Sequence, residues 1–439
     1  CKLIRSLYYM NYEYNSAEPV KISLSSLTEQ QRFLLAESKT FCIYPWIHIH
    51  CYPTGETYPC CHSEMKHPIG NNKENTIQQL INSKSMCELR HNMLAEVKSP
   101  VCTRCYEQDD VGFFSGRKSA NKHHGHHIDQ VTDRAFYDGN LSNFTMTYWD
   151  IRFSNLCNLS CRTCGHIFSS QWHKDQSALA NQSGDLHWKD NNKTLNTTGR
   201  WNGDMLKQVL EHIDDVEQIY FAGGEPLIMD EHYYILEELE KRKRFDVRLI
   251  YNTNFTKINL KDRLVFDYWK KFDSVSVGAS LDGMDKYAEY IRKGTKWADV
   301  EYNRKQMIEI CPEVDFYISA TLSALNALHI TDFHKDWVEK GFIKPQDFNI
   351  NILQDPPHYR IDIFPEHYKD MIRVKYKEHI EWLESHDDLQ RATTGFTSAL
   401  TYLANDNTSM MDTFWEKTQQ LDAIRNEHIL YYIPELNYI

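Results

Sequence analysis

The feature that most constrains this 439-residue chain is Cys157-Asn158-Leu159-Ser160-Cys161-Arg162-Thr163-Cys164. Its three thiols stand at a C-x3-C-x2-C spacing, directly after an alternating run, Tyr148 to Ser154, that reads as a β-strand. Iron–sulfur clusters are held by cysteine thiolates, usually four. A compact triplet whose loop folds round one cubane holds three irons and leaves the fourth open to another ligand. The competing reading is zinc, whose structural sites close with four nitrogen or sulfur ligands. His166 would then be drafted as the fourth.

Three further signals lie downstream. Phe221-Ala222-Gly223-Gly224-Glu225-Pro226 ends a second strand pattern, Tyr251-Asn252-Thr253-Asn254 a third, and Ser280-Leu281-Asp282-Gly283 a fourth. Polar and glycine punctuation at successive strand ends is where a β/α barrel gathers its active site. The order of triplet, Gly-Gly-Glu-Pro, Thr-Asn and Ser-Leu-Asp-Gly resembles the radical SAM superfamily over residues 145–355.

A second cysteine-dense zone precedes it. Cys42 and Cys60 flank Gly55 at a C-x12-G-x4-C spacing, a helical stretch runs from Thr76 to Leu94, and Cys102-Thr103-Arg104-Cys105 follows. Pro45 to His50 and Gly55 to Pro59 read as two strands of a hairpin that brings Cys42 and Cys60 together. The pattern resembles the Twitch/SPASM auxiliary-cluster module of radical SAM enzymes, here placed before the barrel instead of after it. Cys42, Cys60, Cys102 and Cys105 then imply a second, fully ligated [4Fe–4S] cluster, with a zinc ribbon as the alternative. Cys51, Cys61 and Cys87 are surplus, Cys61 being the natural substitute for Cys60.

Composition bears on what the chain meets. A formal charge of −12 argues against broad contact with nucleic acid. No stretch approaches the roughly 18 apolar residues of a membrane span. The opening Cys1-Lys2-Leu3-Ile4 does not read as a signal peptide. Twelve cysteines in a chain with no export signal read as metal ligands in a reducing cytoplasm, not as disulfides.

Strand and helix patterns alternate six times between 148 and 353, which implies a parallel sheet. The expected fold is α/β: a partial (β/α)6 TIM-type barrel, a small cysteine-rich hairpin/helix module before it and a helical C-terminal extension. The boundaries read 1–40 for an N-terminal extension, 41–114 for the module, 115–144 for a linker, 145–355 for the barrel and 356–439 for the extension. The linker is basic and histidine-rich, with Arg117, Lys118, Lys122, His123, His124, His126 and His127. Polyhistidine runs can bind metal, but without a local acidic or cysteine partner a solvated connection is the reading here. A helix over Ser26–Glu37 and a polar, turn-rich insertion over 181–202 complete the outline.

The resemblance also implies roles. Cys157, Cys161 and Cys164 hold a [4Fe–4S] cluster whose open iron chelates S-adenosylmethionine (SAM), and the radical chemistry belongs to those cofactors. Gly223, Gly224 and Glu225 meet the SAM amino group, since glycine permits close approach and a carboxylate accepts from an ammonium. Ser280 and Arg292 hold the SAM carboxylate, which suits the guanidinium fork. Asn252 and Asn254 meet ribose or substrate, and Asp282 serves as a substrate-side acid or base. An electron donor such as flavodoxin or ferredoxin is implied. Relatives modify peptides or proteins, the first reading here; dehydrogenation or rearrangement of a small polyol, aminocyclitol or nucleotide-derived molecule is the second. A zinc-bearing binding scaffold without catalysis is the third.

Overall fold

Parallel strands need a crossover between them, and the helical stretches after each apolar run supply it. The computed structural model describes residues 26–110, 112, 114–134, 139–183, 194–198 and 204–438. Nine strands form one sheet: β1 His50–Cys51, β2 Glu56–Tyr58, β3 Gly70–Asn71, β4 Tyr148–Ile151, β5 Gln218–Phe221, β6 Arg248–Thr253, β7 Val275–Ala279, β8 Asp315–Leu322 and β9 Phe348–Ile352. Their order is β9-β8-β7-β6-β5-β4-β1-β2-β3. From β4 to β9 every neighbour is parallel and in chain order. The crossovers carry helices such as Asp230–Lys241, Trp297–Ile310 and Ile330–Glu339. Because the strands are parallel, the residues that follow them gather at one end of the sheet.

The N-terminal module does not sit on the sheet as a separate body. It extends it. β1 pairs in parallel with β4, His50 opposite Asp150 and Cys51 opposite Ile151, and β2 and β3 add antiparallel beyond. Gly55 makes the turn at a φ of +106°, where a Cβ would meet Asn71 Oδ1 at 2.3 Å. The hairpin itself differs from expectation. Tyr44–Ile47 is a helical turn with Pro45 in its first positions, and only His50–Cys51 is strand. Pro45 has no amide proton to give a ladder, and its fixed φ suits a helix start. The stretch from Thr76 is two helices, Ile77–Ile81 and Lys84–Leu94, capped by Thr76 and Ser83.

The histidine-rich segment is not a solvated linker. It folds as Gly116–His124, Gly125–His127 and Ile128–Arg134, with Arg117, Asn121, His124 and His127 buried. Arg117 donates to the carbonyls of Ser38 and Phe41, and Asn121 takes the amide of Ile43. These contacts fix the segment against the module. Near the start, Thr28 caps Glu29–Arg32, and the chain continues as a π-helical turn over Phe33–Glu37. Residues 1–25 and most of the 181–202 insertion lie outside the described residues. After the triplet the helix spans Trp172–Ser183, starting later than the pattern from His166 implies. The C-terminal extension is helical as expected, with Glu366–Glu384, Arg391–Tyr402 and Met411–Arg425 as its main elements. Among the described residues no helix is long and apolar enough to cross a membrane.

Candidate functional site

Six residues after β4 ends, the triplet loop begins. Cys157 and Cys161 are buried, Cys164 half-buried, and all three are free thiols. With Leu159 they form a small apolar cluster of their own, apart from the main core. Burial, then Cys161 and Glu225, pushes the Cys157 thiol well above its ordinary range, and burial with Cys161 pushes Cys164 up to about 12. Three adjacent thiols in one dry pocket resist becoming thiolates together. A bound cationic centre supplies the charge that such a donor set lacks.

The glycine pair at the end of β5 lies directly on this loop. A Cβ on Gly224 would stand 2.2 Å from the Leu156 carbonyl, so only glycine fits there. The amide of Gly224 donates to the Ser154 carbonyl at 3.2 Å and that of Glu225 to the Leu156 carbonyl at 2.7 Å. Glu225 is fully enclosed. Its Oε1 accepts from Thr253 Oγ1 (2.7 Å) and the Leu227 amide (3.1 Å), and its Oε2 from the Asn254 amide (2.7 Å). Burial nonetheless outweighs these donors and pushes the carboxyl up to about 7. Asn254 closes the ring: its Nδ2 donates to Asn158 Oδ1 at 3.0 Å and reaches 4.0 Å from Cys157 Sγ. Thus the ends of β5 and β6 and the triplet loop form one network.

Arg292 approaches from the other side. Ser160–Cys161 pairs antiparallel with Arg292–Lys293, which puts the Arg292 Nη1 3.7 Å from Cys161 Sγ. Asp282 holds the same guanidinium, with Nε 2.8 Å from Oδ2 and Nη2 3.0 Å from Oδ1, and accepts the Thr321 amide at 2.8 Å. Ser280 is half-buried, and its amide donates to the Thr253 carbonyl at 2.7 Å, joining the ends of β6 and β7. Asn252 donates to Tyr220 Oη at 2.6 Å on the neighbouring strand. Gly223 stands at a φ of +125° beside Arg152.

In the module, Cys42, Cys60, Cys102 and Cys105 come together. The Cys42 thiol is raised by burial first and then by each of the other three, and Cys105 is pushed up to about 12 by burial and Cys60. Cys102 ends a 3-10 turn and Cys105 lies in the first turn of Thr103–Asp110. Cys61 turns elsewhere, toward Asp150 and Arg152, and burial with Asp150 pushes it up to about 12. Cys51 accepts from Thr57 Oγ1 at 3.5 Å, and Cys87 faces Asn140 at 3.6 Å. Among the described residues, the one group of three or more His, Cys, Asp or Glu ligand atoms within 4.8 Å of one another contains no cysteine.

Between module and strands lies a cavity of about 310 Å³, lined by Tyr44 and Cys61 on one side and by Arg152, Tyr220, Arg248 and Asn351 on the other. Asp150 lies beside it, 3.0 Å from His50 and 2.8 Å from Arg152. Burial would raise its carboxyl, but Arg152 and His50 hold it well below the usual carboxylate range.

Sequence reasoning missed the residues that brace the triplet from the C-terminal extension. Arg162, inside the triplet, pairs with Asp422 at 2.5 Å and Glu427 at 2.6 Å, and lies 3.7 Å over the Tyr290 ring. Arg425 donates to the Ser160 carbonyl and to Asp175, both at 2.7 Å. Trp172 Nε1 donates to the Cys161 carbonyl at 2.7 Å. An arginine within a cysteine loop is the sole local signal.

Residues 42–106 match the family model of SPASM, an iron-sulfur cluster-binding domain. The match spans all four module cysteines, so this stretch is an iron–sulfur cluster-binding module. No curated protein sequence matches the chain. Among solved structures, native anSMEcpe with bound AdoMet is 19% identical, with a TM-score of 0.33, covering 54% of this chain and 60% of that one. The same protein with AdoMet and a peptide bound gives 19% identity and a TM-score of 0.34, over 53% and 60%. SuiB of Streptococcus suis, bound to S-adenosylmethionine, gives 13% and 0.34, over 68% and 63%. The alignment thus spans about three fifths of the length of these structures.

Proposed function

We propose that the chain is a radical SAM enzyme. On this reading residues 145–355 are a partial (β/α)6 barrel and residues 41–114 its auxiliary-cluster module. Cys157, Cys161 and Cys164 hold a [4Fe–4S] cluster beside SAM, and Cys42, Cys60, Cys102 and Cys105 hold a second. When bound, cluster and SAM together supply a 5′-deoxyadenosyl radical that abstracts a substrate hydrogen. The observation that carries the reading is the network from Glu225 through Asn254 and Asn158 to Cys157. It places a buried carboxylate, in need of a cation, next to a three-thiol loop with no fourth cysteine.

The chain's own groups then have defined tasks. Glu225 accepts from the SAM ammonium. Gly223 and Gly224 keep side chains out of the approach. Arg292 and Ser280 face the SAM carboxylate, with Asn252 and Asn254 toward ribose. Asp282, expected as an acid or base, accepts from Arg292 and the Thr321 amide at Oδ1 and pairs with Arg292 Nε at Oδ2; we assign it to holding that fork. Electrons come from a flavodoxin- or ferredoxin-type donor.

The substrate is a peptide or protein, a reading that rests on the SPASM match and is analogy at the level of family. A small-molecule substrate is the second reading, and the cavity between module and strands has room for one. A 310 Å³ cavity lies at the low end of ligand-pocket size, and admits one side chain or one small polyol.

Glu225→Gln tests the cofactor pocket. A hydrogen bond to a charged group contributes about 1.5–3 kcal/mol, so SAM affinity falls on the order of 10- to 100-fold, with iron content unchanged. The pH dependence has a definite sign. Burial leaves the carboxyl protonated below about 7, so wild-type affinity rises as pH rises through that value, whereas the variant's is flat. Equilibrium binding across that range checks both. Wild-type affinity in the variant sinks the pocket as drawn.

A further inference from the structure

The histidine-rich segment brings together three ligands that the SAM site does not use. His126 Nε2 lies 2.8 Å and His127 Nε2 3.1 Å from the same Glu217 oxygen, with the two rings 4.1 Å apart. These ligand atoms all fall within 4.8 Å of one another. His126 and His127 sit on the 3-10 turn Gly125–His127, and Glu217 immediately precedes β5. Its amide donates to the Thr147 carbonyl at 2.9 Å, which fixes it at the amino ends of the strands. The triplet and Gly-Gly-Glu follow the carboxyl ends, so this cluster stands apart from them.

A second observation points to a cation. His127 is buried, and its Nε2 touches the carboxylate without the geometry of a hydrogen bond. Behind it, Gln130 Nε2 lies 3.1 Å from His127 Nδ1, while the Gln130 carbonyl oxygen is buried with no hydrogen-bond partner. Which way a glutamine amide points is an assignment made from its network. Turning it over puts Oε1 against Nδ1–H, the acceptor behind the ring that a metal-bound imidazole uses. In that neutral tautomer His127 Nε2 turns its lone pair toward the Glu217 carboxylate, and either a proton or a bound metal ion on Nε2 completes the contact. Ligating histidines are oriented in this way by an acceptor behind the ring.

We propose that His126, His127 and Glu217 bind one divalent transition metal, zinc foremost, and so tie the histidine-rich segment to the amino end of β5. Two imidazoles and a carboxylate suit Zn²⁺. Glu217 is half-exposed, which leaves a fourth position to water.

Co²⁺ added to the holoprotein, with both cysteine sets loaded anaerobically, is the probe. The expected result is one equivalent bound, with visible ligand-field bands, no thiolate charge-transfer absorption, and displacement by Zn²⁺. Glu217→Gln and His126→Gln, both at accessible positions, weaken binding more than about tenfold, and Gln130→Leu about tenfold, the scale on which outer partners of a metal ligand act. Zn²⁺ raises the Tm of the wild type and not of Glu217→Gln. The proposal is overturned if Co²⁺ gives no bands, gives thiolate charge-transfer bands, or binds the wild type and Glu217→Gln equally.

Discussion

Replacement of Cys157, Cys161 and Cys164 together by alanine removes about four irons per chain and abolishes 5′-deoxyadenosine formation from SAM under dithionite. The loss is complete because, among the described residues, no further cysteine stands beside the donor set. His166 is only half-enclosed, with its imidazole pKa lowered by burial and His173, and the nearest other ring of cysteines belongs to the module. Irons held by the module remain in the variant, so the effect on content is half and on cleavage total. Iron assay and product chromatography read the two separately. Persistence of 5′-deoxyadenosine in the triple variant would falsify the triplet's role.

The second large effect starts inside the triplet and runs to partners about 260 positions away in sequence. Arg162→Met removes the cation that joins Asp422 and Glu427, leaving buried Asp422 without its counter-charge and Glu427 with Lys293 alone, 2.7 Å away. Breaking a buried pair by removing one partner costs about 3–5 kcal/mol. The damage has a direction. Asp422 also accepts from Tyr290 Oη at 2.9 Å and the Ile429 amide at 2.7 Å, so the network ties the helix Met411–Arg425 to both the triplet loop and Asp285–Ile291. Loosening it frees Cys161 and Arg292 together, since their strands pair. The expected outcome is a lower midpoint in urea and faster loss of the triplet iron in chelator, with module iron retained. An unchanged midpoint and iron-release rate would show that the extension is not a brace.

Much of this was legible in the sequence, for identifiable reasons. Strands β4 to β9 carry short apolar runs closed by polar or glycine residues, and helices lie between them, so their number and order follow from periodicity. Gly224 stood out through its place at a strand end downstream of the triplet, and the 2.2 Å that a Cβ would leave to the Leu156 carbonyl explains why the position is glycine. The run from Pro45 to His50 misled because alternation of large apolar and polar residues mimics a strand over so short a span. Pro45 is the cue that favours a helical turn. The histidine-rich segment misled through composition: its charged residues are buried by partners on the module, such as Phe41 and Asp109, which no local pattern reveals. Asp282 was read from its place at the end of β7, and its ion pair with Arg292, ten residues later, has no mark in that local pattern. The brace from Asp422 and Glu427 joins residues about 260 positions apart, and a single sequence carries no mark of such a pair.

The central claim, two clusters serving one SAM site, is tested most directly on the wild-type chain reconstituted anaerobically with iron and sulfide. Iron and sulfide are counted, and 5′-deoxyadenosine is then measured after SAM and dithionite are added. The account predicts about eight irons and eight sulfides per chain, four for each cluster, together with 5′-deoxyadenosine. An iron count of about four or fewer, or full iron content with no 5′-deoxyadenosine, would contradict it.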